Sequence, residues 1–193
     1  MPHRLLLFAL PVLLSGLLSG PALAETADRA GWDALRRDGA VALIRHARAP
    51  GIGDPPGFLL TDCATQRRLS PDGEAQARAL GRRLREEGIA VGRVLSSRWC
   101  RCLDTARLAF GTVEPFPALD SLFGDQASAP ERTAALRDLV GGWKGPGALV
   151  LVTHQVNITA LTGLVPSEGE ILVVRAGADQ KIALAARIAA VHP

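Results

Sequence analysis

Two short apolar runs dominate the pattern of hydrophobic and polar positions along the chain. Val41-Ala42-Leu43-Ile44 and Ala148-Leu149-Val150-Leu151-Val152 hold no polar residue. Alternation would mark a half-exposed strand. Unbroken runs of this length mark strands covered on both faces, as in the parallel sheets of α/β proteins. Between them the period becomes helical. Residues 70–88 open with Ser70-Pro71-Asp72, which is a capping serine, a proline at the first helical position and an acid in the first turn. Ala77, Leu80 and Leu84 form the apolar stripe of this helix, and Gly88 ends it.

The same reading predicts a short helix over 32–37, a strand over 89–95 and a helix over 98–110. In the last, Leu103, Ala106 and Phe110 share the inner face, while Arg101, Asp104, Thr105 and Leu108 lie on another. An extended, proline-interrupted stretch covers 113–119, and a helix covers 130–140. Two closing strands, 171–174 and 182–188, flank Gly177-Ala178-Asp179 as a hairpin. Strand and helix alternate without internal repeats. The expected fold is α/β, a three-layer α/β/α sandwich around a mainly parallel central sheet.

The N-terminus stands apart from this pattern. Arg4, the apolar stretch 5–18 and the small-residue triplet Ala22-Leu23-Ala24 before Glu25 read as a secretory signal peptide over 1–24. The apolar segment is short for a membrane span. No cysteine follows it to carry a lipid, so no stable membrane anchor is expected after cleavage. Residues 25–193 then form a single domain of 169 residues, periplasmic or secreted. Without Arg4 the formal charge falls from +3 to +2, too small an excess to indicate nucleic acid. Two lysines against twenty arginines fit a GC-rich bacterial genome. Export permits a disulfide among Cys63, Cys100 and Cys102. Cys63 is one partner of any bridge that closes a long loop, since Cys100 and Cys102 are too near each other. These spacings offer no metal site.

The candidate chemistry sits where the two apolar runs end. The first delivers Arg45-His46 and the second Thr153-His154, in a chain with only four histidines. Open sheets of this class place ligands at the carboxyl ends of their strands. Cations beside His46 disfavour ring protonation and keep one nitrogen free as a nucleophile. Ser96-Ser97-Arg98 ends another strand, and guanidinium groups bind phosphate oxygens bidentately. Arg101, on the same helix face as Thr105, is preferred over Arg98. The helix expected from Gln155 would aim its free N–H groups at the same place. The glycine- and proline-rich stretch 49–57 leaves beside His46, where loops commonly carry specificity.

In this order, these motifs resemble the histidine phosphatase superfamily, of phosphoglycerate mutase-like fold, over residues 41–174. Arg45-His46-Ala47 is similar to its Arg-His-Gly/Ala motif, Arg101 to Ala106 to its Arg-x-x-x-Thr-Ala helix start, and Thr153-His154 to its second histidine. Leu69-Ser70, Gly73 and Gln76-Ala77 resemble the branch with a simple phosphatase core. Among exported members, the chain is similar to enzymes that remove phosphate from lipopolysaccharide core heptose. The resemblance implies that His46 is phosphorylated and that Arg45, Arg101 and His154 bind the phosphoryl group. It implies no cofactor or metal. For the general acid, one branch uses an aspartate after the second histidine, where this chain has Gln155. Another uses Glu-x-x-Phe/Tyr-Gly, to which Asp120-Ser121-Leu122-Phe123-Gly124 is similar with a shorter acid. Asp120 is therefore the expected acid, with Asp125, Asp62 and Asp54 as competitors.

The expected function is an exported, metal-independent phosphomonoesterase working through a phosphohistidine. Its substrate is a small phosphorylated molecule or a phosphorylated cell-envelope glycan. A phosphoryl-transferring mutase and a non-catalytic phosphate- or phosphosugar-binding protein are the alternatives. Few aromatics and no tyrosine leave no stacking platform for nucleotides.

Overall fold

The computed structural model describes residues 21–178 and 181–192, and of residues 21–27 the backbone alone. Most of the expected signal peptide and Asp179 of the hairpin lie outside the described residues. Helix α1 spans Pro21–Leu35, so it begins ahead of the expected cleavage junction and is longer than the 32–37 helix foreseen. Ala22, Ala24, Ala27, Ala30 and Ala34 give this stretch high helix propensity, which outweighs its weak stripe.

The remaining elements follow in the order β1 (Val41–Arg45), α2 (Pro71–Glu86), β2 (Val91–Ser96), α3 (Cys100–Phe110), β3 (Glu114–Pro115), α4 (Ala129–Gly142), β4 (Ala148–Thr153), α5 (Gln155–Thr162), β5 (Ile171–Ala176) and β6 (Ile182–Ile188). Ser70 caps α2 as its sequence predicts, its hydroxyl accepting from the Gly73 amide. Strand β2 starts two residues later than foreseen, because Ile89 still donates back to the Leu84 carbonyl at the end of α2.

The six strands form one sheet in the order β3-β2-β4-β1-β5-β6. The pairings β3–β2, β2–β4 and β4–β1 are parallel, and β1–β5 and β5–β6 are antiparallel. Strands β1 and β4 are buried along almost their whole length, which is why they read as unbroken apolar runs. Their alternate side chains go to two cores. Ala42, Ile44, Val150 and Val152 pack with Trp32, Leu80, Leu84, Cys102 and Ala106 under α1, α2 and α3. Val41, Leu43, Leu149 and Leu151 pack with Leu136, Val140, Ile158 and Leu161 under α4 and α5. The fold is the expected mixed α/β sandwich with a mostly parallel sheet.

The inner face of α3 differs from the one the sequence suggested. Cys102, Thr105, Ala106 and Ala109 are buried, whereas Leu103 and Phe110 are only partly so. Small side chains are selected there because α2 and α3 pack closely: a Cβ on Gly81 of α2 would lie 2.1 Å from the Ala109 carbonyl oxygen. Bulk alone was a poor guide to the inward face.

Strands β1 and β4 define where a site can form. They are adjacent, yet the helices that follow them, α2 and α5, lie on opposite faces of the sheet. The chain therefore diverges at their carboxyl ends and leaves a crevice, the place where open α/β sheets bind ligands.

Candidate active site

The strand register assembles the site. Arg45 pairs with Thr153 across the parallel β1–β4 ladder, and the His46 amide donates to the Thr153 carbonyl at 3.0 Å. His46 and His154 thus come side by side, their ring centroids 5.6 Å apart and edge to face. Arg101 projects from the first turn of α3 into the same crevice and is 3% exposed. The residues predicted from the two apolar runs and from Arg-x-x-x-Thr-Ala are brought together. Around them lies a pocket of about 260 Å³ lined by Arg45, His46, Arg67, Arg101, His154 and Gln155. Its outer wall is formed by Gly51, Ile52, Gly53, Ser121 and Phe123. A larger cleft of about 690 Å³ shares only Arg45 with these residues and contains neither site histidine.

Hydrogen bonding assigns the tautomers. His46 Nδ1 lies 2.8 Å from the Ala47 carbonyl oxygen, which can only accept, so Nδ1 carries the proton and Nε2 presents a lone pair. Burial lowers the His46 pKa to about 3; its hydrogen bond to Ala47 opposes this, and Arg101, Arg67 and Arg45 add to it. His154 Nδ1 faces the Arg101 guanidinium at 3.3 Å, a group that can only donate. Its proton is therefore on Nε2, which donates to Ser97 Oγ at 2.9 Å. Burial, then His46 and the same arginines, hold His154 well below the ordinary histidine range. Both rings are neutral.

Second-layer contacts explain the other motif residues. The Thr105 hydroxyl accepts from the Ala47 amide at 3.0 Å and donates to the Arg101 carbonyl, tying the residue after His46 to α3. Gln76 accepts from the Arg48 amide and donates to the Glu168 carbonyl. At Gly73 a Cβ would lie 2.0 Å from the Arg48 carbonyl oxygen, so only glycine lets α2 approach the segment leaving His46.

The disulfide joins Cys63 to Cys100, while Cys102 remains a buried thiol 3.5 Å from His154 Nε2. Burial pushes that thiol up to about 12, so it stays protonated. The bridge fastens the loop after His46 to the start of α3. Gln66 supports it by accepting from the Cys100 amide and donating to the Leu59 and Leu60 carbonyls.

The carboxylates do not sit where the spacing placed them. Asp120 is buried but does not line the pocket. Its carboxylate accepts from the Arg98 amide at 2.8 Å and the Arg98 guanidinium, Nε at 2.7 Å. Ser97 Oγ donates to it at 3.4 Å. Asp120 thus stands behind Ser97 and His154 rather than facing a leaving group. Its main chain is fixed as well, by Asn157 Nδ2 on α5. Asp125 pairs with Arg132 and Ser128, and Asp62 caps a short turn through the Ala64 amide. Asp54 comes nearest the chemistry but as a support: it accepts from Arg101 at 2.8 Å, from Trp99 Nε1 at 2.9 Å and from the Arg67 amide at 3.0 Å.

One charged pocket residue escaped the sequence reading. Arg67 donates to the Gly53 and Ala49 carbonyls and lines the pocket, whereas its neighbour Arg68 turns outward to Asp104. Nothing local separates the two arginines. The available hint was their place at the end of the loop that begins at His46.

A neutral imidazole with a free Nε2 is held among buried guanidinium groups at a switch point in the sheet, an arrangement suited to an anion. Residues 41–122 match the profile of the Histidine phosphatase superfamily (branch 1). No curated protein sequence matches the chain. Among solved structures it is similar to the Mycobacterium tuberculosis protein Rv3214, with a TM-score of 0.59 and 18% identity over 80% of this chain and 99% of that one. It is also similar to the protein histidine phosphatase SixA complexed with tungstate, with a TM-score of 0.54 and 18% identity over 78% and 96%. A third likeness is to phosphoserine phosphatase from Entamoeba histolytica, with a TM-score of 0.56 and 15% identity over 77% and 95%. At these identities the likeness shows the fold.

Proposed function

We propose that the protein is an exported, metal-independent phosphatase that releases inorganic phosphate through a phosphohistidine on His46. One observation carries this reading. Arg45 Nε and Arg101 Nε are buried N–H donors without an acceptor among the described residues, and both side chains belong to the pocket that contains the free Nε2 of His46. Buried donors are paired in the great majority of cases, so two orphans in one pocket favour an anionic partner there. Arg45 and Arg101 hold the phosphoryl oxygens, His154 packs beside them, and His46 Nε2 attacks phosphorus in line. Asp120 is a positioning residue acting through Ser97 on His154.

Export is supported by the signal-like N-terminus and by the Cys63–Cys100 bridge, a linkage that persists in oxidising compartments. A phosphorylated cell-envelope glycan, including one that carries a pyrophosphate group, is a substrate class consistent with that location. Nucleic acid and a lasting membrane anchor form no part of the proposal. Among the described residues no helix is long and apolar enough to cross a membrane. A phosphate-binding protein without turnover is the second reading, favoured by the absence of Asp and Glu from the pocket lining.

The test is His46→Ala together with acid- and alkali-quenched labelling by a ³²P-phosphoryl donor. The expected result is complete loss of turnover, an alkali-stable label on His46 of the parent protein, and no effect of EDTA. Phosphate-ester binding without label or release would establish the binder instead.

A further inference from the structure

We propose that the phosphoryl group is carried on a stable oxyanion, as in a phosphoanhydride or an acyl phosphate, and that Arg67 pairs with this oxyanion as it departs. The inference rests on the phosphatase reading and names the substrate class of the same site.

The first ground is the charge of the pocket. Its formally charged lining residues are Arg45, Arg67 and Arg101, all positive. The nearby carboxylates are engaged elsewhere. Asp120 is held by Arg98 and Ser97, and Asp54 by Arg101, Trp99 and the Arg67 amide. Glu168 accepts from the Ala49 amide, lies 3.6 Å from Arg45 and opens onto the larger neighbouring cleft. An alkoxide is too basic to leave without a proton, and a positioned acid contributes about 10²–10⁴-fold to such a step. A carboxylate or phosphate oxyanion needs no proton.

The second ground is Arg67. Arg45 and Arg101 already supply two guanidinium groups for one phosphoryl dianion. Arg67 is a third, and its side-chain hydrogen bonds go to uncharged carbonyls, those of Gly53 and Ala49. These bonds fix it against Gly51 to Gly53, which line the same pocket as His46. Gly53 has φ +69°, a conformation disfavoured for other residues, and turns its carbonyl to Arg67. Burial and the nearby Arg101 push the Arg67 pKa down, so an added anion is favoured there.

The third ground is the nucleophile. A phosphohistidine is an energy-rich phosphoramidate, nearly level with an anhydride or acyl phosphate but uphill from an alkyl ester. The steps balance without an external acid. The Nε2 lone pair forms the N–P bond, the P–O bond breaks, and its electron pair leaves on the oxyanion. The imidazolium keeps its Nδ1 proton against Ala47. Water then bonds to phosphorus, the N–P pair returns to Nε2, and both water protons leave with dihydrogen phosphate.

The experiment compares kcat/KM of the full chain on acetyl phosphate, inorganic pyrophosphate, phosphoramidate and glycerol 2-phosphate, with His46→Ala as the blank. Acetyl phosphate and pyrophosphate are expected to exceed glycerol 2-phosphate by at least about 10²-fold, the low end of what a proton donor supplies. Arg67→Gln is expected to lose at least about tenfold on those two and less on phosphoramidate, whose leaving group is neutral. Glycerol 2-phosphate turned over as fast as the anhydrides, or phosphoramidate alone turned over, would overturn the proposal while label on His46 left the phosphatase reading standing. An equal loss on every probe in Arg67→Gln would overturn the role of Arg67. Should that variant fail to fold, the ranking of probes by the parent protein decides. No turnover and no label with any probe would remove both readings.

Discussion

Arg98 and Arg101 lie three residues apart, and each holds an aspartate delivered by a distant loop. The two pairs nevertheless do different work. In the first, Asp120 is fully enclosed while the Arg98 side chain is 46% exposed. Both carboxylate oxygens are occupied, and the pair closes the back of Ser97 and His154. In the second, Asp54 and Arg101 are 7% and 3% exposed. There one edge of the guanidinium is fixed by Asp54, while Nη2 faces His154 and Nε–H finds no acceptor among the described residues. A pair facing solvent holds a loop in place. The enclosed pair orients a cation and leaves part of it open for an anion.

The largest test of this contrast is loss of each arginine. Arg101→Ala leaves Asp54 buried without its main partner, which destabilises by about 3–5 kcal/mol. In the proposed mechanism it also removes a donor to the phosphoryl group, worth about 10²–10³ in kcat. Arg98→Ala is expected to leave kcat on acetyl phosphate within tenfold, because main-chain and Ser97 donors still hold Asp120; denaturant unfolding and steady-state rates separate the two. Next comes Asp54→Asn, which keeps shape but weakens the hold on Arg101. A displaced guanidinium costs about 10²-fold in kcat/KM. Asp120→Asn should fall far short of that on the same substrate; an equal loss would return Asp120 to the chemistry.

The Cys63–Cys100 bridge sharpens the comparison, since it anchors the loop that carries Asp54 but not the one that carries Asp120. Its 37-residue separation implies about 4 kcal/mol of stabilisation. For a domain of this size, that is roughly 8–16 °C in Tm by calorimetry. Reduction should also weaken turnover more than Asp120→Asn does. The smallest effect is that of pH. His46 and His154 are held neutral in the fold, while unfolded histidines take up protons below about 6.5. The unfolded state then binds more protons, so stability is full above pH 6.5 and falls as pH drops below it, continuing for His46 towards about 3. The slope is at most about 1.4 kcal/mol per pH unit for each ring. Chemical denaturation at pH 7.5 and 5.5 measures it, and a flat profile would mean that the rings are hydrated.

Much of this molecule was legible in its residues. The runs of β1 and β4, the Ser70 cap and the stripe of α2 are local signals, and each has a local cause in burial on two faces or in helix-end chemistry. Arg45, His46, Arg101 and His154 could be named because each sits at the end of an element whose direction the pattern sets. The surroundings of Asp120 were not legible, because its spacing to Phe123 and Gly124 says nothing about which arginine its loop will meet.

The sequence by itself therefore determined the layers, the strand ends and the residues presented there. Tertiary structure decided the rest. The register Arg45–Thr153 put His46 beside His154. The paths of two loops gave Asp54 to Arg101 and Asp120 to Arg98. The same packing chose Cys100 over Cys102 and turned Arg67 inward while Arg68 stayed out. The physical reason is range. Periodicity and capping act over a few residues, whereas the partner of a buried charge depends on which distant segment arrives beside it.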